Sequence, residues 1–288
     1  MQTAELGVIG GSGLYAMTGF EAIQEVTLDT PFGAPSAPIV VGELAGRRVA
    51  FLARHGRGHR LLPSEINYCA NIFALKLLGV ERILSASAVG SLKEHIAPLD
   101  VVLPDQFIDA TRRRRSTFFG EGLAAHVAFS HPTCAELGAL LNGVLERSER
   151  RVHRGGAYAC IEGPQFSTLA ESELYRRSGA AVIGMTNATE AKLAREAEMC
   201  YVTMALVTDY DCWHEEESVS VEAIVRRLQQ NAETAREAVL AAVSDMPSSR
   251  ACACGRALES AIITAPEGID AETRKRLAPL VGRYLGSA

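Results

Sequence analysis

Residues 201–211, YVTMALVTDYD, constrain what this chain can fold into more than any other stretch. The largely apolar run from Val202 to Val207 reads as a buried strand, and it ends in Thr208-Asp209-Tyr210-Asp211. Strand side chains alternate from face to face, so both carboxylates point to one side. Paired acids at a buried strand end are costly unless a ligand or a proton compensates them. In isolation the segment fits a solvated turn running into a helix cap. The surrounding chain argues otherwise.

The same pattern recurs along the sequence. Leu6–Ile9 forms a short strand running into Gly10-Gly11-Ser12-Gly13. Residues 37–53 read as two strands joined by a hairpin turn at Ala45-Gly46, and Arg54-His55-Gly56-Arg57-Gly58-His59 follows as a polar loop. Ser64 is placed to cap a helix with Ile66, Ala70, Phe73 and Leu77 on its apolar face, stopped near Gly79. Arg82–Ser87 is another buried strand, ending in Ala88-Val89-Gly90-Ser91, and Val101–Leu103 is a further one. Helices are expected over 132–147, 168–178 and 188–198 and from Ser220 to Val243, with a charged terminal helical segment over 271–285. Strands are expected over 25–28, 156–161, 181–184 and 200–207. Strands alternating with helices imply an α/β sheet covered on both faces. No repeat or long linker divides the chain, so residues 1–288 are expected to form a single domain.

The charge balance limits the partners. A formal net charge of −5 provides no global basic field for nucleic acid or an anionic membrane. The run Arg112–Arg115 reads as a solvated loop. The N-terminus lacks the basic and apolar regions of a secretory leader, and no apolar run approaches the ~18 residues of a membrane span. Cysteines at 69, 134, 160, 200, 212, 252 and 254 make an odd, scattered set, which suits reduced thiols and a cytoplasmic location. Cys252-Ala-Cys254 is the only close pair. It lacks a second pair at zinc-site spacing, so no metal is expected, and a redox-sensitive pair stays open.

The polar clusters share a position just after buried strands, where open α/β sheets gather ligands. Gly10-Gly11-Ser12-Gly13 allows backbone N–H groups close to an oxyanion, with the Ser12 hydroxyl as a further donor. Gly11–Ala16 also fits a dinucleotide fingerprint, but the interval before the next strand is short for a helical crossover, and no Gly-Lys-Ser/Thr follows to make a phosphate loop. Arg54 offers a fork of donors matched to phosphate, and His55 can donate beside it. His55 and His59 have the spacing of a helical zinc pair, but Gly56 and Gly58 disfavour a helix there. Gly163-Pro164 precedes Phe166 and Ser167, where an aromatic could stack on a flat ring; Met185 and the donor Thr186 follow another strand.

With these segments in hand the chain resembles the purine nucleoside phosphorylase superfamily, and within it the methylthioadenosine phosphorylase branch. The resemblance rests on VIGGSGLY, DTPFGAPS, FLARHGRGHRLLPSEINYCANIFALK, SAVGSLKE, DQFIDATRRR, IEGPQFST, GMTN and TDYDCW, in family order across residues 6–213. It implies an α/β domain whose mixed central sheet is partly closed into a barrel and flanked by helices, assembled as a homotrimer. It implies no cofactor, with inorganic phosphate as co-substrate and a small nucleoside as the other. Ser12, Arg54, His55, Ser87, the backbone of Ala88, and Thr186 would hold phosphate. Phe166, Ser167 and Met185 would border purine and ribose. Thr208, Val221 and Ile224 would line a 5'-methylthio pocket, reached by His126 of a neighbouring subunit. Asp209 and Asp211 would address N7 and the 6-amino group of adenine.

The implied reaction is phosphorolysis of 5'-methylthioadenosine. Phosphate supplies the nucleophile, so the protein needs only a general acid for the departing purine. That acid is expected to be Asp209, its pKa raised by burial and by its acidic neighbour, with Asp211 accepting from the amino group; the reverse assignment stays open. The alternative is a phosphorylase of 6-oxopurine nucleosides. Such relatives tend to carry Glu and Asn where Ser167 and Asp209 stand here, which favours a 6-aminopurine. Gln165 and Ala188-Thr189 depart from the family pattern.

Overall fold

The computed structural model describes residues 3–11, 13–14, 17–214 and 221–285, with the side chains of 221–224 left out of the account. Ser12 therefore lies outside the described residues, and Val221 and Ile224 are placed by their backbone alone.

In chain order the strands are β1 (Leu6–Gly10), β2 (Phe20–Val26), β3 (Ile39–Leu44), β4 (Arg47–Ala53), β5 (Arg82–Ser91), β6 (Val101–Leu103), β7 (Gln106–Asp109), β8 (Val152–Arg154), β9 (Ala157–Cys160), β10 (Ala180–Gly184) and β11 (Cys200–Asp209). The α-helices are α1 (Tyr68–Leu77), α2 (Ala135–Leu145), α3 (Leu169–Arg177), α4 (Asn187–Glu196), α5 (Val221–Asp245) and α6 (Ala271–Val281). All the strands join one mixed sheet, and their hydrogen bonding does not close it into a barrel.

Alternation along the central strands splits the core into two layers. Ile9, Ile83 and Tyr201 pack toward α1, α4 and α6, while Val8, Leu84, Val202 and Met204 pack toward α2 and α5. Consecutive residues thus face opposite helical layers, as strand geometry requires. The Ala45-Gly46 hairpin forms as expected, with φ of 48° and 73°, the left-handed pair that a tight turn between twisted strands demands. Other boundaries moved. Asn67, not Ser64, caps α1: its Oδ1 accepts from the Ala70 N–H at 3.0 Å while its Nδ2 donates to Phe32 O at 2.6 Å. Leu62 to Glu65 is instead spent on a turn closed by the Glu65 N–H. The strand expected at 25–28 is the longer, largely exposed edge strand β2, and short β7 and β8 carried too few residues to show a pattern.

The topology around β5 creates the opening for a ligand. Along one flank β5 pairs with β1 from Arg82 to Ser85, then with β10 at Gly90 and Ser91. Between these partners, Ala86–Val89 pair only with β11 on the other flank, through Met204–Val207. β1 has diverged at Gly10, β10 has not yet arrived, and β10 runs antiparallel to β5 where β1 ran parallel. This is the crevice of a topological switch point.

Candidate active site

A cavity of about 660 Å³ fills that crevice. Its wall includes Gly11, Arg54, His55, Ser87, Ala88, Gly90, Phe166, Ser167, Met185, Thr186, Thr208, Asp209 and Asp211, so the structure brings both sets of expected residues to one space. Arg54 is anchored beside Ala86, and Asp209 Oδ1 and Asp211 Cβ crowd Gly90. At ~3.3 Å per residue the two groups stand about 13 Å apart along β5. A Cβ at position 90 would lie 3.0 Å from Asp209 Oδ1, so glycine is what permits the acids their approach. Exposed His126 lies outside this wall.

At one end a buried polar network fixes Arg54, which is 3% exposed. Its Nε donates to Glu190 Oε1 at 2.5 Å, and Nη2 to Glu190 Oε2 at 3.1 Å and Ser85 Oγ at 2.6 Å. Nη1 donates to Ala86 O at 2.8 Å. Burial acts to lower the guanidinium's pKa, but the Glu190 carboxylate outweighs it and holds the group above its usual value. The fork is thus committed to Glu190, and a single Nη1 hydrogen is left for a ligand. Glu190 also accepts from Tyr201 Oη at 2.8 Å, and Asn187 Nδ2 donates to Tyr201 Oη at 2.7 Å. His55 Nδ1–H donates to Leu61 O at 2.9 Å. Burial first, then the Arg54 charge, lowers its pKa to about 4, so the ring is neutral near pH 7 and offers Nε2 as an acceptor.

At the other end the acids form a turn closed by their own groups. The Asp211 N–H donates to Asp209 Oδ1 at 2.8 Å, and Thr208 Oγ1 donates to Asp209 Oδ2 at 2.7 Å. Asp211 has φ of 56°, a left-handed conformation that aspartate tolerates. Asp211 is 4% exposed, and burial raises its pKa, with the Asp209 charge adding to the effect.

Orphaned polar atoms mark where a ligand belongs, because buried groups without partners are rare. Ser87 Oγ, Ser167 Oγ and Asn231 Oδ1 are buried, have no hydrogen-bond partner among the described residues, and belong to residues of the cavity wall. Asn231 was missed in the sequence, although its spacing from Leu228 and Ala235 puts it on their side of α5. Glu190 was missed too, since its partner lies 136 residues away. The Arg112–Arg115 run is also not simply solvated. The Arg114 side chain is 2% exposed, bonds Glu162 Oε1 at 2.8 Å and Glu162 O at 2.7 Å, and donates to Met185 O, tying together two loops that wall the cavity. Among the described residues, no grouping of His, Cys, Asp or Glu suited to a metal lies in this cavity.

Residues 5–244 match the Phosphorylase superfamily. The chain is 58% identical over 284 residues to an S-methyl-5'-thioadenosine phosphorylase of Koribacter versatilis, covering 98% of this chain and 97% of that one. It is 55% identical over 287 residues to that of Gloeobacter violaceus, covering 98% and 96%. Among solved structures, a methylthioadenosine phosphorylase from an antarctic soil metagenomic library superposes with a TM-score of 0.92 at 50% identity, covering 97% of this chain and 99% of the other. The methylthioadenosine phosphorylase from Schistosoma mansoni in complex with adenine gives 0.83 at 34% identity, covering 90% and 97%. The switch-point cavity thus sits in a chain that belongs to the phosphorylase superfamily and, within it, to the S-methyl-5'-thioadenosine phosphorylase family.

Proposed function

We propose that this chain is an S-methyl-5'-thioadenosine phosphorylase, converting 5'-methylthioadenosine and phosphate to adenine and 5-methylthioribose 1-phosphate. The observation that carries the reading is a single cavity walled by Arg54, His55, Ser87 and Thr186 near one point of β5 and by Asp209 and Asp211 about 13 Å along it. A ribosyl group fits between an anion and a base held at those two places.

In the reaction a phosphate oxygen bonds to C1' as the C1'–N9 bond breaks, and a proton reaches N7 of the departing adenine. Phosphate is held by the Ser87 and Thr186 hydroxyls, the Ala88 backbone, the remaining Nη1 hydrogen of Arg54, and Ser12 of the glycine loop. Neutral His55 accepts from the P–OH of monohydrogen phosphate, which leaves the charged oxygens turned toward the sugar. The carboxyl pair carries one proton between its members, because burial and mutual repulsion disfavour two charges. Asp209 delivers it to N7, and Asp211 accepts from the 6-amino group. Phe166 and Met185 border the base, Ser167 the ribose. Thr208, with Val221 and Ile224 on α5, borders the 5'-methylthio group. His126 of a neighbouring copy completes that pocket in a homotrimer. No cofactor is needed, since phosphate is itself the nucleophile.

Adenine release from 5'-methylthioadenosine, measured with and without phosphate, tests the reading, with inosine and methylthioinosine in the same panel. Strict dependence on phosphate and preference for the 6-amino substrate are expected. Preference for a 6-oxopurine nucleoside, or turnover in the absence of phosphate, would overturn it.

A further inference from the structure

The opposite end of the sheet holds a second chemical cluster. Cys200 opens β11 and pairs with Arg82 at the start of β5, whereas Asp209 pairs with Gly90 at the far end. Cys200 and Asp209 stand nine positions apart along the strand, about 30 Å. Around Cys200 the fold gathers Cys134, Cys252 and Cys254, and the four Sγ atoms all lie within 4.8 Å of one another. Cys200 Sγ and Cys252 Sγ are 3.3 Å apart. Cys134, Cys200 and Cys254 are buried, and all four are free thiols. The sequence showed one pair, Cys252-Ala-Cys254, with no second pair at zinc spacing. The fold supplies that second pair from the cap of α2 and the first residue of β11.

We propose that Cys134, Cys200, Cys252 and Cys254 form a tetrathiolate site for a structural zinc ion. Zinc bound by sulfur at ~2.3 Å sets its ligands on a tetrahedron with edges of about 3.8 Å. Four sulfurs already mutually close match that arrangement with small side-chain movements. Two disulfides would instead need the sulfurs drawn into separate pairs at about 2.05 Å. With all four positions filled by protein the site is closed, which is the structural rather than the catalytic pattern.

The surroundings supply cations that could compensate negative charge on these sulfurs. Arg82 is 2% exposed, its Nη2 has no hydrogen-bond partner among the described residues, and it walls a cavity of about 90 Å³ together with Cys134 and Cys200. A buried cation with an unmatched donor beside neutral thiols is unfavourable; beside thiolates it is compensated. Arg250 interacts electrostatically with Cys200 and Cys252, although it is also paired with Glu81 at 3.5 Å. Cys134 caps α2, where its Sγ accepts from the Leu137 N–H at 3.5 Å, and a helix N-terminus favours a thiolate. Glu136 also lies in this wall, where its carboxylate accepts from the Ala251 N–H at 3.1 Å. Binding is written Zn²⁺ + 4 Cys–SH → [Zn(S–Cys)4]²⁻ + 4 H⁺, and Arg82 and Arg250 face the resulting charge. The ion would pin the 252–254 turn to α2 and β11, segments far apart in sequence.

Metal analysis of the enzyme purified under reducing conditions without chelator is expected to give about one zinc per chain. After chelation, titration with Co²⁺ should produce tetrahedral cobalt–thiolate absorption that saturates near one equivalent and is displaced by Zn²⁺. Cys254→Ser should lower cobalt affinity at least 100-fold while phosphorolysis continues at a near wild-type rate; Cys212→Ser should leave the spectrum unchanged. Thiol titration of the wild type covers the case of a variant that fails to fold: the four cysteines should react only after chelation. Absence of stoichiometric zinc and of the cobalt spectrum would overturn the proposal. So would an intact mass short of two or four hydrogens, which would make the cluster a set of disulfides.

Discussion

Arg54 and Arg82 are equally buried, at 3% and 2% exposed, and both pack along β5, yet their surroundings differ. Arg54 faces the carboxyl ends of the strands and is matched by Glu190, Ser85 and Ala86. Arg82 faces the amino ends, lines a cavity with Cys134 and Cys200, and keeps an Nη2 that is unmatched among the described residues. In the first region the chain carries a permanent counter-charge, so the machinery is rigid before a substrate arrives. In the second the counter-charge depends on the ionisation of cysteine. One end of the sheet is therefore organised for turnover and the other for a conditional cross-link.

The largest expected effect belongs to the turnover end. Asp209→Asn should lower kcat for 5'-methylthioadenosine by about 10²–10⁴-fold, the usual contribution of a general acid, with KM for phosphate nearly unchanged. Asp211→Asn should raise the KM for the nucleoside more than it lowers kcat. The reverse outcome in parallel steady-state kinetics would transfer the acid role to Asp211, the carboxyl whose pKa the fold raises.

Removing the counter-charge tests the contrast directly. Glu190→Gln leaves the Arg54 cation buried without a carboxylate, and breaking such a pair costs about 3–5 kcal/mol. Urea denaturation should show that loss, with a raised KM for phosphate as Arg54 loses its anchor. Arg82→Met in the metal-free protein should change stability by less than about 1 kcal/mol, since an unmatched donor is lost along with the charge. Equal destabilisation by the two substitutions would erase the distinction.

The Arg54 charge should also be legible in pH dependence, through its neighbour. His55 has a folded pKa of about 4, below the ~6.5 of an unfolded chain. The unfolded state therefore binds the proton first as pH falls, and stability rises with pH across this window. The contribution is complete above about pH 6.5 and is lost as the pH drops toward 4. Glu196, pushed up to about 7 chiefly by burial, works with the opposite sign over an overlapping range. The informative quantity is thus the stability of wild type relative to His55→Gln in denaturation from pH 7 to pH 4, which should fall in the acid direction before any general collapse.

What the sequence disclosed, and what it hid, follows from range. Asp209 and Asp211, the Ala45-Gly46 turn and the strand-end clusters are local patterns, and the chain displays them directly. Most residues named by the motif resemblance line the cavity, whereas His126 lies outside its wall and Ser12 lies outside the described residues. Glu190 was hidden because α4 also carries Lys192, Arg195 and Glu196, and a carboxylate among such charged residues reads as solvent-facing. Arg114 was hidden because a run of four arginines looks uniformly exposed. The cysteine cluster depends on contacts between positions 134, 200 and 252–254, and no spacing rule joins them. Separation in sequence, rather than weak chemistry, set the limit.

The smallest expected effect compares two helix starts. Thr168 caps α3 at the rim of the active site through a reciprocal box: the Glu171 N–H donates to Thr168 Oγ1 at 3.3 Å, and the Thr168 N–H donates to Glu171 Oε2 at 2.8 Å. Cys134 caps α2 with a sulfur instead. An oxygen cap is worth about 1 kcal/mol, so Thr168→Ala should cost that much in urea denaturation whether or not metal is present. Cys134→Ser installs a better capping atom, so it should be neutral or slightly stabilising in metal-free protein and destabilising in zinc-loaded protein. If Cys134→Ser were equally neutral in both, the sulfur would be serving only as a cap, and the amino end of the sheet would need no ion to hold it.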